Sequence, residues 1–292
     1  MTTHRLDGTG SPPTWGGLRG ILDAVAAGTL GVDEALAALP LLQVEHLGDF
    51  ARLDVGRALR KGVPEVVYAP GKSDVVLAAI TNTFVKEVGL ALVSRLTAER
   101  APALEAAVRA AEVQARTSST ETDVQISMAY DVEAGIFEVI APWYVGPSSG
   151  GVVGLLTAGT SDIPLAEEVA LVARHMGCVV HRAYDVGVAG VHRLIEPLAT
   201  MIRADVDVYV VVAGMEGALP SVVAGLVDAP VIGVPAPTGY GLGGDGTAAL
   251  YSMLQSCSPG MLAVNIGNGV GAGAAAGLIA RRACRRSADG EK

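Results

Sequence analysis

VDVYVVVAGMEGALP, at residues 206–220, joins an unbroken apolar run through a glycine-flanked turn to the start of a helix. A strand without polar alternation is typically buried on both faces, as in a parallel sheet that helices cover. Similar apolar runs alternate with helical stretches, at residues 152–158, 178–184, 231–234 and 262–266. The pattern predicts an α/β domain with a parallel sheet, right-handed crossovers and helices on both faces. Its ligand site is expected beyond the carboxyl ends of the strands.

The first half of the chain predicts a smaller α/β or α+β unit. Its strands and helices are expected at residues 18–38 (two short helices, interrupted at Gly28 and Gly31), 64–69 (strand), 73–87 (helix capped by Ser73), 90–96 (strand), 98–115 (helix), and 124–130 with 136–140 (hairpin), and residues 54–61 are amphipathic and basic. Residues 142–151, PWYVGPSSGG, have the composition of a linker. We therefore predict tails at residues 1–17 and 285–292, an N-terminal α/β domain at 18–145 and a catalytic domain at 150–284.

Composition limits the classes of partner. The net charge is −9, which argues against nucleic acid because nucleic-acid binders concentrate Lys and Arg. We find no apolar run of membrane-spanning length and no basic start followed by an apolar core, so we expect a cytoplasmic protein without membrane contact. The three cysteines, Cys178, Cys257 and Cys284, show neither paired nor metal-ligand spacing, so we expect no disulfide framework and no metal site.

Two segments at predicted strand ends carry polar candidates. The first strand runs into TAGTSD at residues 157–162, where exposed amides and hydroxyls would seat a phosphate or carboxylate. A plain helix cap without ligand is the alternative. After the second strand, Asp185 and His192 bracket a glycine-punctuated loop. They are either an acid/base or substrate-orienting pair, or a surface cap and an ordinary histidine.

Two further residues are candidates for the chemistry itself. Glu216 lies between glycine and apolar residues after the third strand, where desolvation would let it act as a base near neutral pH. A first-turn glutamate that the helix dipole stabilises is the alternative. Cys257 follows a predicted helix at residues 247–256. A small buried hydrophobe is its ordinary role, and a reactive thiolate there would need a cationic ligand such as a pyridinium ring.

One loop matches the sequence of a dinucleotide-binding fingerprint but lacks its structural context. GLGGDG at residues 241–246 matches GxGxxG, but it does not follow the first strand. No acidic residue lies about twenty residues further on to hold a ribose. We therefore exclude a Rossmann dinucleotide site at this loop.

Four motifs in the same order resemble the PurE family of aminoimidazole ribonucleotide carboxylases and mutases. They are TAGTSD (157–162), AG…LP (213–220), PVIGVP (230–235) and SMLQSCSPGMLAVNIGN (252–268). The resemblance implies a flavodoxin-like, three-layer PurE fold for the second half of the chain. Two departures stand out: the PurE histidine loop SAHR is replaced by RAYD at residues 182–185, and a PurE methionine is replaced by Cys257.

These departures are similar to those of the LarB family of nickel-pincer cofactor biosynthesis proteins. The matching stretches are LDVGRALRKGVPEVVYAPGK (53–72), TAGTSDIPLAEE (157–168), DVGVAGVHRL (185–194), VAGMEGALP (212–220) and MLQSC (253–257). The LarB resemblance implies carboxylation of nicotinic acid adenine dinucleotide, with loss of AMP, to pyridinium-3,5-biscarboxylic acid mononucleotide. It also implies a homo-octamer, no tightly bound cofactor, and carbon dioxide or bicarbonate as co-substrate, with Mg²⁺ left open as an aid to the phosphoanhydride step.

The same resemblance implies roles for individual residues. Cys257 would add to the ring and Glu216 would remove a ring proton. Substrate contacts are expected from Gly159, Thr160, Ser161, Asp162, Asp185, His192, Gly214, Met215, Asn265, Asn268, Gly269 and Gly271. Apart from the resemblance, Lys72, Arg57 or Arg60 would meet the adenylate half, or they belong to solvated helix faces or to a domain contact; a P-loop is excluded because position 66 is valine.

Two other functions remain as alternatives. A PurE-type carboxylase or mutase fits the fold, although the missing histidine loop counts against it. A non-catalytic sensor of a nicotinamide dinucleotide would need neither Cys257 nor Glu216.

Overall fold

The computed structural model describes residues 17–38, 44–116 and 126–290 of the chain. Within them the strands form a two-stranded, a four-stranded and a five-stranded sheet. The predicted bounds of the tail at residues 1–17 and of the catalytic domain at 150–284 stay predictions. The tail lies outside the described residues except for Gly17, which begins the first helix. The five-stranded sheet draws all its strands from residues 152–263.

The N-terminal region contains two small sheets and five helices among its described residues. The helices are α1 (Gly17–Ala26), α2 (Val32–Ala38), α3 (Arg57–Lys61), α4 (Asp74–Val88) and α5 (Ala101–Arg116). The strands are β1 (Val44–Leu47), β2 (Ala51–Asp54), β3 (Val66–Tyr68), β4 (Leu90–Ser94), β5 (Ser127–Asp131) and β6 (Ile136–Ile140). In the sheet of order β3-β4-β6-β5, β3 and β4 are parallel and the other pairs are antiparallel.

Local signals explain where these elements begin. The Ser73 hydroxyl accepts a hydrogen bond from the backbone N–H of Val76 at 3.3 Å and so caps α4, as predicted. The sequence does not predict the antiparallel hairpin of β1 and β2. The amphipathic segment at residues 54–61 is divided between two elements, because Asp54 pairs with Val44 in that hairpin and α3 begins only at Arg57.

The C-terminal region repeats strand and helix. Its strands are β7 (Val152–Thr157), β8 (Val179–Ala183), β9 (Val208–Ala213), β10 (Val231–Pro235) and β11 (Met261–Ala263). Its α-helices are α6 (Ile163–His175), α7 (His192–Arg203), α8 (Leu219–Ala224), α9 (Thr247–Leu254) and α10 (Gly269–Gly290). All strand pairs are parallel, in the order β11-β10-β9-β7-β8. This flavodoxin-like order confirms the predicted parallel sheet.

Helices cover both faces of the five-stranded sheet. Val208, Val210 and Val212 of β9 pack on one face with residues of α6 and α10. Tyr209 and Val211 point to the other face and pack with residues of α7, α8 and α9. Every residue of β9 and β10 is buried, because β-branched side chains fill both faces of a covered strand. The carboxyl edge of the sheet is therefore left as the open end of the fold.

The last helix corrects one expectation. The tail predicted from residue 285 is helical through Gly290, because α10 continues to that residue. Small residues let α10 approach α6 closely: a Cβ on Gly273 would lie 2.7 Å from the carbonyl oxygen of Val169. None of the helices in the described part of the chain has the length and apolar character needed to span a membrane.

Candidate active site

The loops that follow β7, β8, β9 and β10 meet at the carboxyl edge of the sheet. The backbone N–H of Asp185 donates to the hydroxyl of Thr157 at 3.0 Å, which joins the loops after β8 and β7. A Cβ on Gly214 would lie 2.2 Å from the carbonyl oxygen of Thr238, so the loops after β9 and β10 touch through their backbones. The glycine is required by this close approach. The sequence-predicted location of the site, beyond the strand ends, is thus one packed cluster of loops.

Asp162 connects two of these loops through hydrogen bonds. Its carboxylate accepts hydrogen bonds from the backbone N–H of Gly159 at 2.9 Å and from the hydroxyl of Thr238 at 2.7 Å. The residue is only 4% exposed, and burial raises the pKa of Asp162 while the two hydrogen bonds oppose the shift. The bond from Gly159 belongs to a capping box of the short 3₁₀ turn Thr160–Asp162, and the seat for a phosphate or carboxylate stays a prediction. Thr160 and Ser161, beside it, are exposed and open to a ligand.

Asp185 and His192 form no hydrogen bond or ion pair with each other among the described residues, and their role toward a substrate stays a prediction. Asp185 forms an ion pair with Arg193, whereas His192 is exposed and makes no hydrogen bond or ion pair with the described residues. Asp185 also adopts a left-handed backbone, with φ 56°. Arg193 follows His192 at the start of α7, and its side chain is long enough to contact the Asp185 carboxylate.

Glu216 lies in a tight turn that exposes its side chain to solvent. Met215 and Gly217, its neighbours, have φ values of 51° and 60°, and Glu216 is exposed. The chain therefore lacks the burial that the predicted general base requires. Because α8 begins only at Leu219, Glu216 is not a first-turn glutamate either. A ligand or a second protein surface would have to exclude water from it.

Cys257 lies near the opposite edge of the sheet. It is a free, exposed cysteine, so the alternative of a buried hydrophobe is wrong. The neighbouring serine hydroxyls hold its turn: Ser221 donates to Ser256 at 2.8 Å, and Ser258 donates to the carbonyl oxygen of Ser221 at 2.9 Å. Gly260, just beyond, accepts from the backbone N–H of Val231, the first residue of β10. The thiol is therefore close to the amino-terminal end of β10.

The thiol and the Glu216 carboxylate lie at opposite ends of α9. The turn of Glu216 abuts the start of that helix, since a Cβ on Gly217 would lie 2.7 Å from the Cα of Ala249. From Ala249 the helix rises by roughly 8 Å to its last residue, Leu254, and Cys257 lies beyond it. Most of α9 therefore lies between the turn of Glu216 and the turn of Cys257.

The residues before α10 form a third part of the candidate site. Asn268 caps α10, because its side-chain oxygen accepts from the backbone N–H of Gly271 at 2.8 Å. The Asn265 side chain accepts from the N–H of Ile266 at 2.9 Å. Both asparagines are exposed. Gly269 is buried, and a Cβ there would lie 2.7 Å from a carboxylate oxygen of Glu168.

A cavity of about 460 Å³ opens beside these residues and reaches into the N-terminal region. Gly267 and Asn268 line one side, and Tyr68, Ser94 and Arg95 line the other. The structure thereby brings the predicted substrate segment before α10 next to residues of the mixed sheet. Within the described ranges, no three His, Cys, Asp or Glu side chains are arranged to hold a metal ion.

Sequence reasoning missed an ion pair at this cavity. The Nε atom of Arg95 lies 2.5 Å from Oε1 of Glu168, and an Nη2 donor of Arg95 lies 2.5 Å from the carbonyl oxygen of Gly267. Glu168 is 3% exposed, and burial raises its pKa while Arg95 opposes the shift. The sequence does place Glu168 among apolar residues of α6, such as Leu165 and Val169, and a charged residue at a buried position indicates a partner.

The parallel sheet order, the covered strands and the glycine- and hydroxyl-rich carboxyl edge define a PurE-like α/β domain. Residues 152–289 match the family model described as AIR carboxylase. Residues 44–121 match the one described as LarB/PurE-like N-terminal domain. The chain belongs to the LarB family, whose two kinds of domain it carries in this order, and these domains are of a carboxylase- or mutase-type enzyme.

Individual proteins are similar to this chain over different lengths. An uncharacterised protein of Methanocaldococcus jannaschii is 42% identical over 267 residues, which make up 90% of this chain and 97% of that protein. The N5-carboxyaminoimidazole ribonucleotide mutase of the same organism is 31% identical over 114 residues, or 39% of this chain and 67% of the mutase. A crystal structure of a substituted PurE2 of Treponema denticola covers 49% of this chain and 93% of its own, with 20% identity and a TM-score of 0.35.

Proposed function

We propose that the protein carboxylates the pyridinium ring of nicotinic acid adenine dinucleotide and releases AMP, giving pyridinium-3,5-biscarboxylic acid mononucleotide for nickel-pincer nucleotide synthesis. The observation that carries the proposal is the free, exposed thiol of Cys257 in a chain with both LarB-type domains. Neither an imidazole ribonucleotide mutase with its histidine loop nor a dinucleotide sensor calls for that thiol. Carbon dioxide or bicarbonate supplies the new carboxyl group.

The chemistry follows from the electron-poor ring. A pyridinium ring does not attack carbon dioxide, but a thiolate that bonds to the carbon beside the ring nitrogen converts it into a neutral enamine. The β-carbon of the enamine then forms a bond to carbon dioxide. Glu216 takes the proton from that carbon, and the electron pair restores the ring as the carbon–sulfur bond breaks. One water molecule is consumed when the phosphoanhydride is hydrolysed to AMP.

We propose that a second copy of the chain completes the site. Cys257 and Glu216 lie at opposite ends of α9, whereas both must reach one pyridinium ring. Large apolar side chains exposed on α7, α9 and β11 favour contact between copies; they are Ile195, Ile202, Tyr251, Leu254 and Leu262. In the proposed homo-octamer, a neighbouring copy brings its Cys257 to the ring held near Glu216. The same contact would exclude water from the exposed carboxylate.

Labelled bicarbonate tests the reaction. The protein is incubated with nicotinic acid adenine dinucleotide and carbon-labelled bicarbonate, and the products are separated for AMP and for label retained on the ring. Cys257→Ala should abolish ring labelling, while Cys284→Ser, a change at a cysteine outside the site, should not. Absence of label with the unaltered protein, or full labelling by Cys257→Ala, would refute the proposal. Aminoimidazole ribonucleotide in place of the dinucleotide tests the mutase alternative.

Mixed assemblies test whether the site is shared. Cys257→Ala and Glu216→Gln are co-expressed with different tags, and oligomers carrying both are purified. If a site takes its cysteine from one copy and its glutamate from another, random assembly leaves about one quarter of the sites intact. Activity near that level, from two variants that are inactive alone, supports the shared site. Mixed oligomers as inactive as their parents would show that one chain supplies both residues.

A further inference from the structure

Arg95 has an unusual backbone conformation at the junction of the two domains. It follows β4 directly and has φ 55°, a left-handed conformation that is unfavourable for a residue with a Cβ. Such an outlier persists only where the surrounding structure holds it, and it points to a role for the side chain. The guanidinium group crosses to the PurE-like domain, where it meets Glu168 and Gly267.

Glu168 depends on this arginine. The Glu168 side chain is buried in α6, and its hydrogen bonds and ion pairs among the described residues all come from Arg95. A buried carboxylate is stabilised by a cation and destabilised strongly when that cation is removed. Gly269 packs against the same carboxylate, with a Cβ position 2.7 Å from Oε2. A movement of Glu168 would therefore be transmitted to the first residue of α10.

Arg95 holds the other side of the same segment. Its guanidinium donates to the carbonyl oxygen of Gly267 at 2.5 Å. Gly267 has φ 67° and is itself anchored to β10, since its N–H donates to the carbonyl oxygen of Pro235 at 2.8 Å. The guanidinium thus binds directly at Gly267 and, through Glu168, at Gly269. Asn268, the exposed residue between them, lies on the wall of the cavity.

We infer that Arg95 is a positioning residue of the reaction: from the N-terminal domain it fixes the shape of segment 265–271, against which the nicotinate mononucleotide half of the substrate binds. The inference rests on the proposed function for the identity of the ligand. It assigns the N-terminal domain a part in the site, because Arg95 is the cation that pairs with Glu168 among the residues that the structure describes. Arg95 acts through Glu168 and the Gly267 carbonyl and forms no bond to reacting atoms.

Hydrogen exchange in the ligand-free protein tests the positioning without any substrate. Arg95→Gly removes the guanidinium and relaxes the left-handed backbone, and Glu168→Gln removes the charge of its partner. Both should speed amide exchange in segment 265–271 by at least about tenfold. Arg100→Gln is the matched control, because Arg100 also binds one carboxylate and one carbonyl, those of Asp74 and Lys72. Unchanged exchange in both test variants would overturn the inference, whatever reaction the protein catalyses.

Kinetics test the same inference under turnover. Arg95→Lys keeps the charge but loses the planar fork, so the KM for nicotinic acid adenine dinucleotide should rise by roughly tenfold to a hundredfold, with kcat within about threefold. Guanidinium ion should restore KM in Arg95→Gly, and ammonium ion should not. A loss confined to kcat, or the absence of guanidinium rescue, would count against positioning. Inactivity of the unaltered protein would refute the proposed function and leave the exchange result standing.

Discussion

Gly214→Ala should destabilise the protein through a single contact. The added carbon would lie 2.2 Å from the carbonyl oxygen of Thr238, about 1 Å inside ordinary contact. Gly214 is not among the residues of left-handed backbone, so the penalty is steric. A backbone carbonyl cannot rotate away as a side chain can, and overpacking of this kind costs about 1–3 kcal/mol. We expect about 2–3 kcal/mol, because moving Thr238 also strains its hydrogen bond to the buried Asp162.

The assay is equilibrium urea unfolding followed by far-ultraviolet circular dichroism. Gly225→Ala is the control, because its new Cβ would have no neighbour closer than 3.5 Å and its φ of −78° suits alanine. The control should unfold within about 0.5 kcal/mol of the unaltered protein. If Gly214→Ala is as stable as Gly225→Ala, the loops after β9 and β10 do not touch as described, and the packed cluster of loops at the carboxyl edge is refuted.

Three other outcomes are expected. Because burial raises the pKa of Asp162 above its unfolded value, its contribution to stability is present below the unfolded pKa and lost as pH rises through the folded pKa. Asp162→Asn should therefore gain stability relative to the unaltered protein as the pH rises above about 4, the ordinary pKa of an aspartate, in urea unfolding, and a difference that stays constant with pH would contradict this. Burial also raises the pKa of the Cys178 thiol, so iodoacetamide followed by mass spectrometry should label the exposed Cys257 first; faster labelling of Cys178 would be inconsistent with its burial. Glu216→Gln should lower kcat by about a hundredfold or more with unfolding unchanged, since the side chain is exposed, and an equal loss of stability would point to a structural role.

The sequence predicts the covered sheet well because its signal is local and continuous. The run at residues 206–213 has no polar residue that could face water except Asp207, and β9 is buried along its whole length. Ser73 likewise marks the start of α4 through a contact only three residues away. The hairpin of β1 and β2 escapes prediction because its short strands are half-exposed and carry charged residues. A strand of that kind takes its conformation from its partner.

The site is less predictable because its contacts join residues far apart in sequence. The strand ends indicate where ligands bind, but they do not reveal that Asp185 forms its ion pair with Arg193 and, within the described part of the chain, none with His192. Nor do the flanking residues of Glu216 reveal its exposure, which depends on the left-handed turn at Met215 and Gly217. Arg95 and Glu168 are separated by 73 positions, and no local pattern connects them. Tertiary packing decides each of these outcomes.

The ion pair of Arg95 and Glu168 also bears on how the two domains were inherited. A PurE-like domain that exists alone has no arginine from a neighbouring mixed sheet, and a carboxylate buried at position 168 would then be an uncompensated charge. In this two-domain chain Arg95 supplies the compensating charge, so replacing the arginine alone should be the more costly of the two changes, because it leaves the buried Glu168 unpaired. Among two-domain relatives the arginine and the glutamate should covary, whereas free-standing PurE-like domains should carry a neutral residue at the position of Glu168.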